Sequence, residues 1–424
     1  MERKIDLYLQ KWKKDVIRKP LIIYGAKQIG KTYSALSFGK KEYKNTVYIN
    51  SQNNKELKEV FQKERSTEKL ILRLSTLTGE TILKDDTLIV IDNVNDIDII
   101  KGLKIFGSEH SKYHIIAIIT TKDKLSEFKG EELQFKAMYE MDFEEYLWAK
   151  DETSLANLIK ESFEKRKTNP FHKVALELFD EYLTTGGLPE VVEASLNEKD
   201  EYELDAIKQK IINVYKNEVS LNTILIDIPR GIEVMDSIPE QLQKENKKFQ
   251  YGLMGAGKRA KEYESTINYL VNNQLVYRSY KIKEVKSPLS SCKDKDSFKL
   301  FYADEGLLYT AMHLNKKKLL SDENIKEVLY ENHIAKTLSD AGYSLYYYQS
   351  EGKAEVNFVI QNRNGQIIPI ELTTKTNSKA KSLAVFMKKF TVPSAYRITE
   401  NNFATKKDIR YIPVYAVFCL NDTK

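Results

Sequence analysis

Cysteine, tryptophan, proline and glycine are scarce in this chain of 424 residues, which contains 2, 2, 9 and 17 of them, respectively. Two cysteines cannot form a disulfide framework or a zinc site by themselves, so a reducing cytoplasm is the expected compartment. The sequence has no run of about 18–20 apolar residues, the length that a membrane-spanning helix needs. Residues 1–6 contain no apolar signal core. These absences argue against a disulfide-rich secreted protein and against a membrane partner.

Lysine supplies most of the positive charge. The chain has 67 Lys and Arg residues, of which 11 are Arg, and 61 Asp and Glu residues, which gives a net charge of +6. Residues 351–424 contain 12 basic and 6 acidic residues, a net charge of 12 − 6 = +6, so the whole excess lies there. Two interpretations are open: a polynucleotide-binding surface, or the solvated face of a lysine-rich protein.

Short apolar segments alternate with helical ones in the first part of the chain. An amphipathic helix is predicted at 1–19, and strands are predicted at 21–24, 47–50, 88–92 and 114–120. Helices are expected from the end of a glycine-containing loop to about residue 40, and at 54–64 and 96–107. This alternation predicts an α/β domain with a parallel sheet.

The remainder of the chain changes from helical to mixed. Residues 143–221 are predicted to be mostly helical, and 236–277 to form two helices before a β-hairpin at 278–302. Helices followed by such a hairpin favour a winged-helix-like module. The last part is predicted to be a small α/β unit, with helices at 323–341 and 379–389 and strands at 343–348, 354–361, 366–373 and 411–418.

Residues 25–32 match the phosphate-binding pattern G-x-x-x-x-G-K-[ST], between an apolar strand and a helix. In such a loop, backbone N–H groups and the helix N-terminus face a phosphate. Lys31 would reach the β- and γ-phosphates of ATP, and Thr32 would hold Mg²⁺. The residues predicted to bind the nucleotide are Gly25, Lys27, Gln28, Ile29, Gly30, Lys31, Thr32, Tyr33 and Thr120.

An aspartate at the end of a buried strand would complete the metal site. Asp92 follows the apolar residues 88–91, and its carboxylate would contact Mg²⁺ through water. The next residue, Asn93, is an amide that can orient a water but cannot accept its proton. The pattern therefore predicts nucleotide binding with slow or impaired hydrolysis.

Neighbouring polar residues leave alternatives open. Asp96 could substitute as the base. Thr120 or Thr121, at the end of the fourth strand, could sense the γ-phosphate or be an ordinary strand-end residue.

Several segments together resemble prokaryotic AAA-superfamily P-loop ATP-binding proteins with a C-terminal domain of unknown function related to PD-(D/E)XK nucleases. They are GAKQIGKT at 25–32, MDFEEYL at 141–147, GGLPEVV at 186–192, and segments at 237–249, 298–308 and 368–371. Lys27 and Asn93 stand where the family usually has Arg and Glu. Arg259 matches a recurrent family arginine, for which a phosphate contact or a domain-interface role is open.

The resemblance implies that the tail is a degenerate nuclease. The family pattern is similar to Glu-Val-Asp-Phe and Pro-Ile-Glu-Val-Lys, whereas this chain has Asn357 and Thr373 at the Asp and Lys positions. Glu371 remains as a candidate catalytic acid. A displaced site built from Glu331, Glu355, Glu371 and Lys375 is the alternative to a structural remnant.

The predicted architecture has three parts: a P-loop AAA-type ATPase domain at 1–145, a helical lid and winged-helix-like region at 146–310, and a degenerate PD-(D/E)XK-like domain at 311–424. The predicted function is an Mg·ATP-dependent switch and weak ATPase with ATP and Mg²⁺ as ligands. ATP would hold the P-loop and helical parts together. The alternatives are a nucleic-acid-binding module using residues 351–424 with ATP-regulated docking, a nuclease, or a protein-binding role.

Overall fold

Two compact units make up the chain, Met1–Glu140 and Met141–Lys424. The structure, a computed structural model, describes every residue except 65, 108–111, 121–124, 126–127, 129–131, 222–227, 316–318, 320, 351–354, 375–379 and 424. For residues 218–221, 228–229, 380–381 and 421–423 it describes the backbone alone. Within the described residues, no helix is long and apolar enough to cross a membrane.

Helices and strands alternate along the N-terminal unit, as expected for an α/β domain. Its elements are α1 Lys4–Lys14, β1 Leu21–Tyr24, α2 Lys31–Glu42, β2 Asn45–Asn50, α3 Lys55–Lys63, α4 Thr67–Thr78, β3 Thr87–Asp92, α5 Ile97–Leu103, β4 His114–Ile119 and β5 Gln134–Ala137, with a short 3-10 helix at Lys104–Phe106. Local signals set several ends: Asn54 caps α3 by accepting from the Leu57 N–H at 2.9 Å, and Gly79 ends α4 in the left-handed conformation.

The five strands of this unit form one parallel sheet in the order β2-β3-β4-β1-β5. All residues of β3 and β4 are buried, and each fully buried aliphatic side chain contributes roughly 1.5–3 kcal/mol. Because the strands are parallel, the loops after β1, β3 and β4 lie at one edge of the sheet. The predicted parallel α/β fold is confirmed.

Helices dominate the first half of the C-terminal unit. They are α6 Phe143–Ala149, α7 Thr153–Lys165, α8 His172–Thr185, α9 Pro189–Leu196, α10 Glu201–Leu221, α11 Ile228–Leu242 and α12 Ala260–Asn272. The second half adds α13 Glu305–Ala311, α14 Glu323–Asp340, α15 Ala380–Phe390, and strands β6 Val276–Ile282, β7 Lys293–Tyr302, β8 Leu345–Gln349, β9 Glu355–Gln361, β10 Ile367–Thr373, β11 Ala395–Thr399, β12 Ala404–Lys406 and β13 Ile409–Pro413. Short 3-10 helices occupy Tyr251–Met254, Leu289–Cys292 and Val414–Thr423.

A mixed eight-stranded sheet organises this second half, in the order β12-β13-β11-β10-β9-β8-β6-β7. The expected hairpin is present as antiparallel β6 and β7, but β6 also pairs in parallel with β8. The hairpin therefore belongs to the same sheet as the C-terminal strands, and a separate winged-helix module is not confirmed. The expected division at 310/311 falls inside this unit, whereas the one at 145/146 lies near the boundary between the units.

Other segments also differ from the sequence prediction, among them β11, β12 and α13, which were not anticipated. Residues 411–418 were expected as one strand, but the chain leaves the sheet at Pro413 and continues as a 3-10 helix. Helix α4 and strand β5 were not anticipated. The four residues of β5 are all half-buried at the sheet edge, so they form no continuous apolar run that could indicate a strand.

Candidate nucleotide site

The loop that joins β1 to α2 has the backbone conformation of a phosphate cradle. Gln28 and Gly30 have φ values of 63° and 90°, in the left-handed region, and Gly30 is the N-cap residue of α2. The first-turn N–H groups of a helix have no acceptor within the helix, so they face outward from the N-terminus. Gln28 Oε1 is buried and accepts no hydrogen bond from the described residues. The donors that this loop offers to an anion are therefore the N–H groups at the start of α2, whereas Gln28 Oε1 can only accept.

Lys31 lies inside this loop. Its side chain is buried, and Nζ donates to the carbonyl oxygens of Gly25, at 2.8 Å, and of Ala26. These carbonyls hold a positive charge at the centre of the cradle. A phosphate oxygen can replace them as acceptor because the ammonium group has three donors on one flexible stem.

Asp92 is the acceptor at which the other predicted residues converge. The residue is only 5% exposed, and its Oδ2 accepts from Thr32 Oγ1 at 2.8 Å. The same oxygen accepts from Tyr48 Oη at 3.0 Å, while Oδ1 accepts from the Asn93 N–H at 2.8 Å. The structure thus brings together the two residues predicted to hold the metal, Thr32 and Asp92.

Asn93 follows β3 in the left-handed conformation, with φ 56°. Its Nδ2 donates to Asn50 Oδ1 at 3.3 Å, and its carbonyl accepts from Ser51 Oγ at 2.7 Å. Asparagine tolerates this backbone conformation better than most residues do. A neutral amide pair, Asn93 with Asn50, therefore lies beside Asp92.

The alternative base and the strand-end threonines are placed less favourably. The Asp96 carboxylate caps α5 by accepting from the Asp98 N–H at 2.9 Å and pairs with Lys58 at 2.7 Å. Thr120 directly follows β4 and is half-buried, and Thr121 lies outside the described residues. The Asp96 carboxylate is already engaged with a helix N-terminus and a lysine, which disfavours it as the alternative base.

The residues present fit Mg·ATP. Lys31 Nζ lies inside the loop within reach of a phosphate, and Thr32 and Asp92 present the oxygen ligands that a hard cation prefers. Among the other predicted contacts, Lys27 is half-buried, Ile29 is buried and Tyr33 is 70% exposed. The positions of these three residues neither favour nor oppose a contact with the nucleotide.

Two residues that the sequence did not single out support the site. Arg3 is buried and donates to the carbonyl oxygens of Ile29, at 3.1 Å, and Tyr139, at 2.8 Å, so it braces the phosphate loop. Tyr48 contacts Asp92 from the neighbouring strand. The alternation of side chains along β2 could have indicated Tyr48, because Val47 and Ile49 are buried whereas Tyr48 faces outward.

The candidate acids of the C-terminal unit are paired with cations. Glu371 is fully buried and accepts from Arg397 Nε at 2.8 Å and Nη2 at 2.7 Å. Asn357 Oδ1 accepts the Leu372 N–H at 3.0 Å, a structural bond within the sheet. Thr373 ends β10 and is half-buried.

Lys299 occupies the space between two of the acids of the proposed displaced site. Its Nζ lies 2.9 Å from Glu331 and 2.6 Å from Glu355, and Lys247 lies 2.6 Å from Glu331. Burial opposes ionisation of Glu331, but Lys247 and Lys299 hold the pKa of that carboxyl well below its usual range. Lys375 lies outside the described residues, and within the described ones no three potential ligands form a metal cluster.

Three segments that carry the family resemblance meet inside the C-terminal unit. The Met141 N–H donates to the Gly187 carbonyl at 2.7 Å, and the Gly187 N–H donates to Asp304 Oδ2 at 2.7 Å. Gly186 has φ 79°, and a Cβ there would lie 2.2 Å from Asp304 Oδ1. These motifs are therefore accounted for by close packing. Arg259, from another segment, is the exposed N-cap residue of α12.

Comparison with protein families divides the chain into three matched segments. Residues 17–147 match the model of an AAA domain. Residues 176–318 and 326–417 match two domains of unknown function, DUF8612 and DUF4143. The N-terminal unit is thus similar to AAA-type P-loop ATPases, in agreement with its sheet and its phosphate loop.

Solved structures give only distant likenesses. A signal transduction ATPase with numerous domains and a tetratricopeptide repeat sensor, from Pyrococcus horikoshii, is 15% identical over 80% of this chain and 45% of its own, with a TM-score of 0.29. ORC1 of Aeropyrum pernix, in complex with DNA, is 13% identical over 73% and 90%, with a TM-score of 0.29. C. elegans PCH-2 is 12% identical over 38% and 46%, with a TM-score of 0.22. The chain spans about half the length of the first and last of these proteins. Among curated protein sequences there is no match.

Proposed function

We propose that the chain binds Mg·ATP and works as a nucleotide-dependent switch with slow hydrolysis. The observation that carries the proposal is the convergence of Thr32 on Asp92, next to a phosphate loop with Lys31 at its centre. When bound, Mg²⁺ would neutralise phosphate charge. Lys31 and the N-terminus of α2 bind the phosphates, and Thr32 and Asp92 orient the cation.

Slow hydrolysis follows from the residues beside Asp92. Asn93 and Asn50 can orient a water, but neither accepts a proton at neutral pH. General-base catalysis typically contributes 10²–10⁴-fold, so its absence leaves a long-lived ATP state. A long-lived bound state is what a switch requires. We therefore expect turnover well below the ~10 s⁻¹ that is typical of enzymes.

Replacing Lys31 tests the proposal directly. Lys31→Ala removes the cation that faces the phosphates, and we expect ATP binding measured by calorimetry to be lost. Lys40→Ala is the matched control, because Lys40 is exposed in the last turn of the same helix. Unchanged ATP affinity in Lys31→Ala would refute the proposed function.

The C-terminal acids favour a structural role over the nuclease alternative. Glu331, Glu355 and Glu371 each pair with a lysine or an arginine, and freeing them for a metal would leave buried cations unpaired. The cytoplasm is the proposed compartment, and the buried thiols of Cys292 and Cys419 are compatible with reducing conditions there.

Nucleic-acid binding is the second candidate, favoured by exposed lysines of the C-terminal unit. Lys388 and Lys389 at the end of α15 and Lys406 and Lys407 at edge strand β12 are all exposed. Lysines on an edge strand also prevent strand-to-strand aggregation, so the charge alone does not decide. Fluorescence anisotropy of labelled DNA and RNA with the full chain, with and without Mg·ATP, decides between nucleic-acid binding and protection of the sheet edge. Binding that weakens with salt and in the Lys406→Glu/Lys407→Glu variant would support this role, whereas no binding at low salt would remove it.

A further inference from the structure

Tyr48 makes an additional contact with the carboxylate that is expected to orient Mg²⁺. Asp92 Oδ2 accepts two hydroxyl groups, Thr32 Oγ1 at 2.8 Å and Tyr48 Oη at 3.0 Å. A carboxylate oxygen has about two acceptor positions, so these two donors fill Oδ2. Oδ1 already accepts the Asn93 N–H at 2.8 Å. One acceptor position on this buried carboxylate is left for any other donor.

The two hydroxyl groups differ in what they can do when a cation binds. Thr32 can turn its oxygen lone pairs to the cation while its proton stays on Asp92. Tyr48 approaches from the neighbouring strand and is the donor that can leave without disturbing the phosphate loop. The residue is 43% exposed on β2, an edge strand of the sheet, so its ring has open solvent to rotate into.

Tyr48 is the donor in its contact with Asp92. A carboxylate oxygen only accepts, so the phenolic O–H of Tyr48 donates its single hydrogen bond to Asp92 Oδ2. This bond persists until another donor displaces it.

A magnesium ion usually retains several of its waters, and Asp92 is expected to contact the ion through them. Those waters donate hydrogen bonds, so they need acceptor positions on the carboxylate. We infer that Tyr48 is a positioning residue that competes for Asp92 Oδ2 and thereby raises the Mg²⁺ concentration at which the nucleotide site is half-saturated with its cation. This inference rests on the proposed function and deepens it, because it makes the switch sensitive to the supply of free Mg²⁺.

The test is a Mg²⁺ titration of the full chain at a fixed concentration of a fluorescent ATP analogue, compared with binding in excess EDTA. Tyr48→Phe removes one hydroxyl and keeps the ring. We expect metal-free analogue binding like that of the wild type, since the hydrogen bond of the Tyr48 hydroxyl goes to Asp92 and not to the phosphate loop. Half-saturation should shift to Mg²⁺ concentrations about three- to tenfold lower, the range that one hydrogen bond of ordinary net strength supports.

Two further variants make the result specific. Tyr8→Phe is the matched control: its hydroxyl accepts from Gln134 at 2.7 Å, on the opposite edge strand of the same sheet, and its titration should equal that of the wild type. Tyr48→Leu also lacks the hydroxyl and should shift in the same direction as Tyr48→Phe. A shift in Tyr48→Leu without one in Tyr48→Phe would assign the effect to ring packing and overturn the inference.

The outcomes separate the inference from the function on which it rests. If the wild type binds the analogue neither with nor without Mg²⁺, the proposed function fails. If the wild type binds it with Mg²⁺ but Tyr48→Phe needs an equal or higher Mg²⁺ concentration, the inference alone fails.

Discussion

At the scale of single residues, the backbone at Asn93 limits what can replace it. Because φ is 56° here, a glutamate would have to adopt the left-handed backbone conformation, which costs roughly 1–2 kcal/mol. Asn93→Glu nevertheless adds a carboxylate next to Asp92, and we expect turnover measured by phosphate release to rise at least tenfold, with lower thermal stability. Asn93→Gly is the control, since it removes the strain without adding a base. Equal turnover in Asn93→Glu and Asn93→Gly would contradict the assignment of slow hydrolysis to this position.

A second residue-scale prediction concerns pH. His114 is buried on β4, with Nδ1 2.6 Å from Tyr43 Oη, and burial together with Arg18 lowers its pKa from 6.5 to about 4, despite the nearby Asp85. The folded state therefore binds the proton more weakly than the unfolded state does. The stability that results is present above pH 6.5 and is lost as pH falls toward 4.

Replacing His114 should flatten this part of the pH profile. His114→Phe keeps an aromatic ring against Tyr43 and Trp12 but cannot titrate. As the pH is lowered from 6.5 to 4, we expect the unfolding temperature of the wild type to fall relative to that of His114→Phe. A difference that stays constant over this range would contradict the depressed pKa.

At the scale of elements, the turn between α8 and α9 is fixed by two glycines. Gly186 has φ 79° and ψ −173°, a region that is open essentially to glycine alone, and a Cβ would collide with Asp304. We expect Gly186→Ala to destabilise the C-terminal unit by about 2–4 kcal/mol, measured by thermal or urea unfolding. Gly252→Ala is the control, because nothing lies within 4 Å of the added Cβ and no left-handed φ is involved. Equal stability of the two variants would refute the packing role of the glycine motif.

The same elements show how far the sequence could predict the structure. Continuous apolar runs identified β1, β3 and β4, and the phosphate-loop pattern located Lys31 and Thr32 at the start of a helix. Short edge strands such as β5 and β12 were missed, because the half-buried residues of β5 and the exposed residues of β12 form no apolar run. The winged-helix interpretation was not confirmed, for another reason. Hairpins pair locally in any fold, and only the non-local pairing of β6 with β8 shows which sheet the hairpin joins.

The site was only partly predictable. The motif and the apolar strand before Asp92 indicated Thr32 and Asp92, but the contact from Tyr48 depends on the alignment of β2 beside β3, which no local pattern fixes. The cations that pair with Glu331 and Glu371 could likewise not be predicted from the sequence. Lys299 lies 32 residues from Glu331, and Arg397 lies 26 from Glu371. Sequence spacing alone suggested a displaced metal site, whereas the folded chain fills the space with ammonium and guanidinium groups.

At the scale of the whole molecule, each of the two units contains an apolar cluster of its own. One cluster packs on one face of the parallel sheet and includes Phe61 and Phe106, and another packs against the eight-stranded sheet and includes Tyr348 and Phe386. All residues of the candidate nucleotide site belong to Met1–Glu140. A ligand that binds only the folded form stabilises it by about 2.7 kcal/mol when the free ligand concentration is one hundred times the dissociation constant.

We therefore expect calorimetry to resolve two unfolding transitions, of which Mg·ATP raises only one. Two of the substitutions described above show which unit unfolds in each transition. His114→Phe should alter the pH dependence of the ATP-sensitive transition, because His114 lies in the unit that contains Lys31. Gly186→Ala should lower the other transition and leave the ATP-sensitive one in place. A single transition that shifts as a whole with Mg·ATP and with Gly186→Ala would show instead that the units unfold cooperatively, so that nucleotide binding is energetically linked to the eight-stranded sheet.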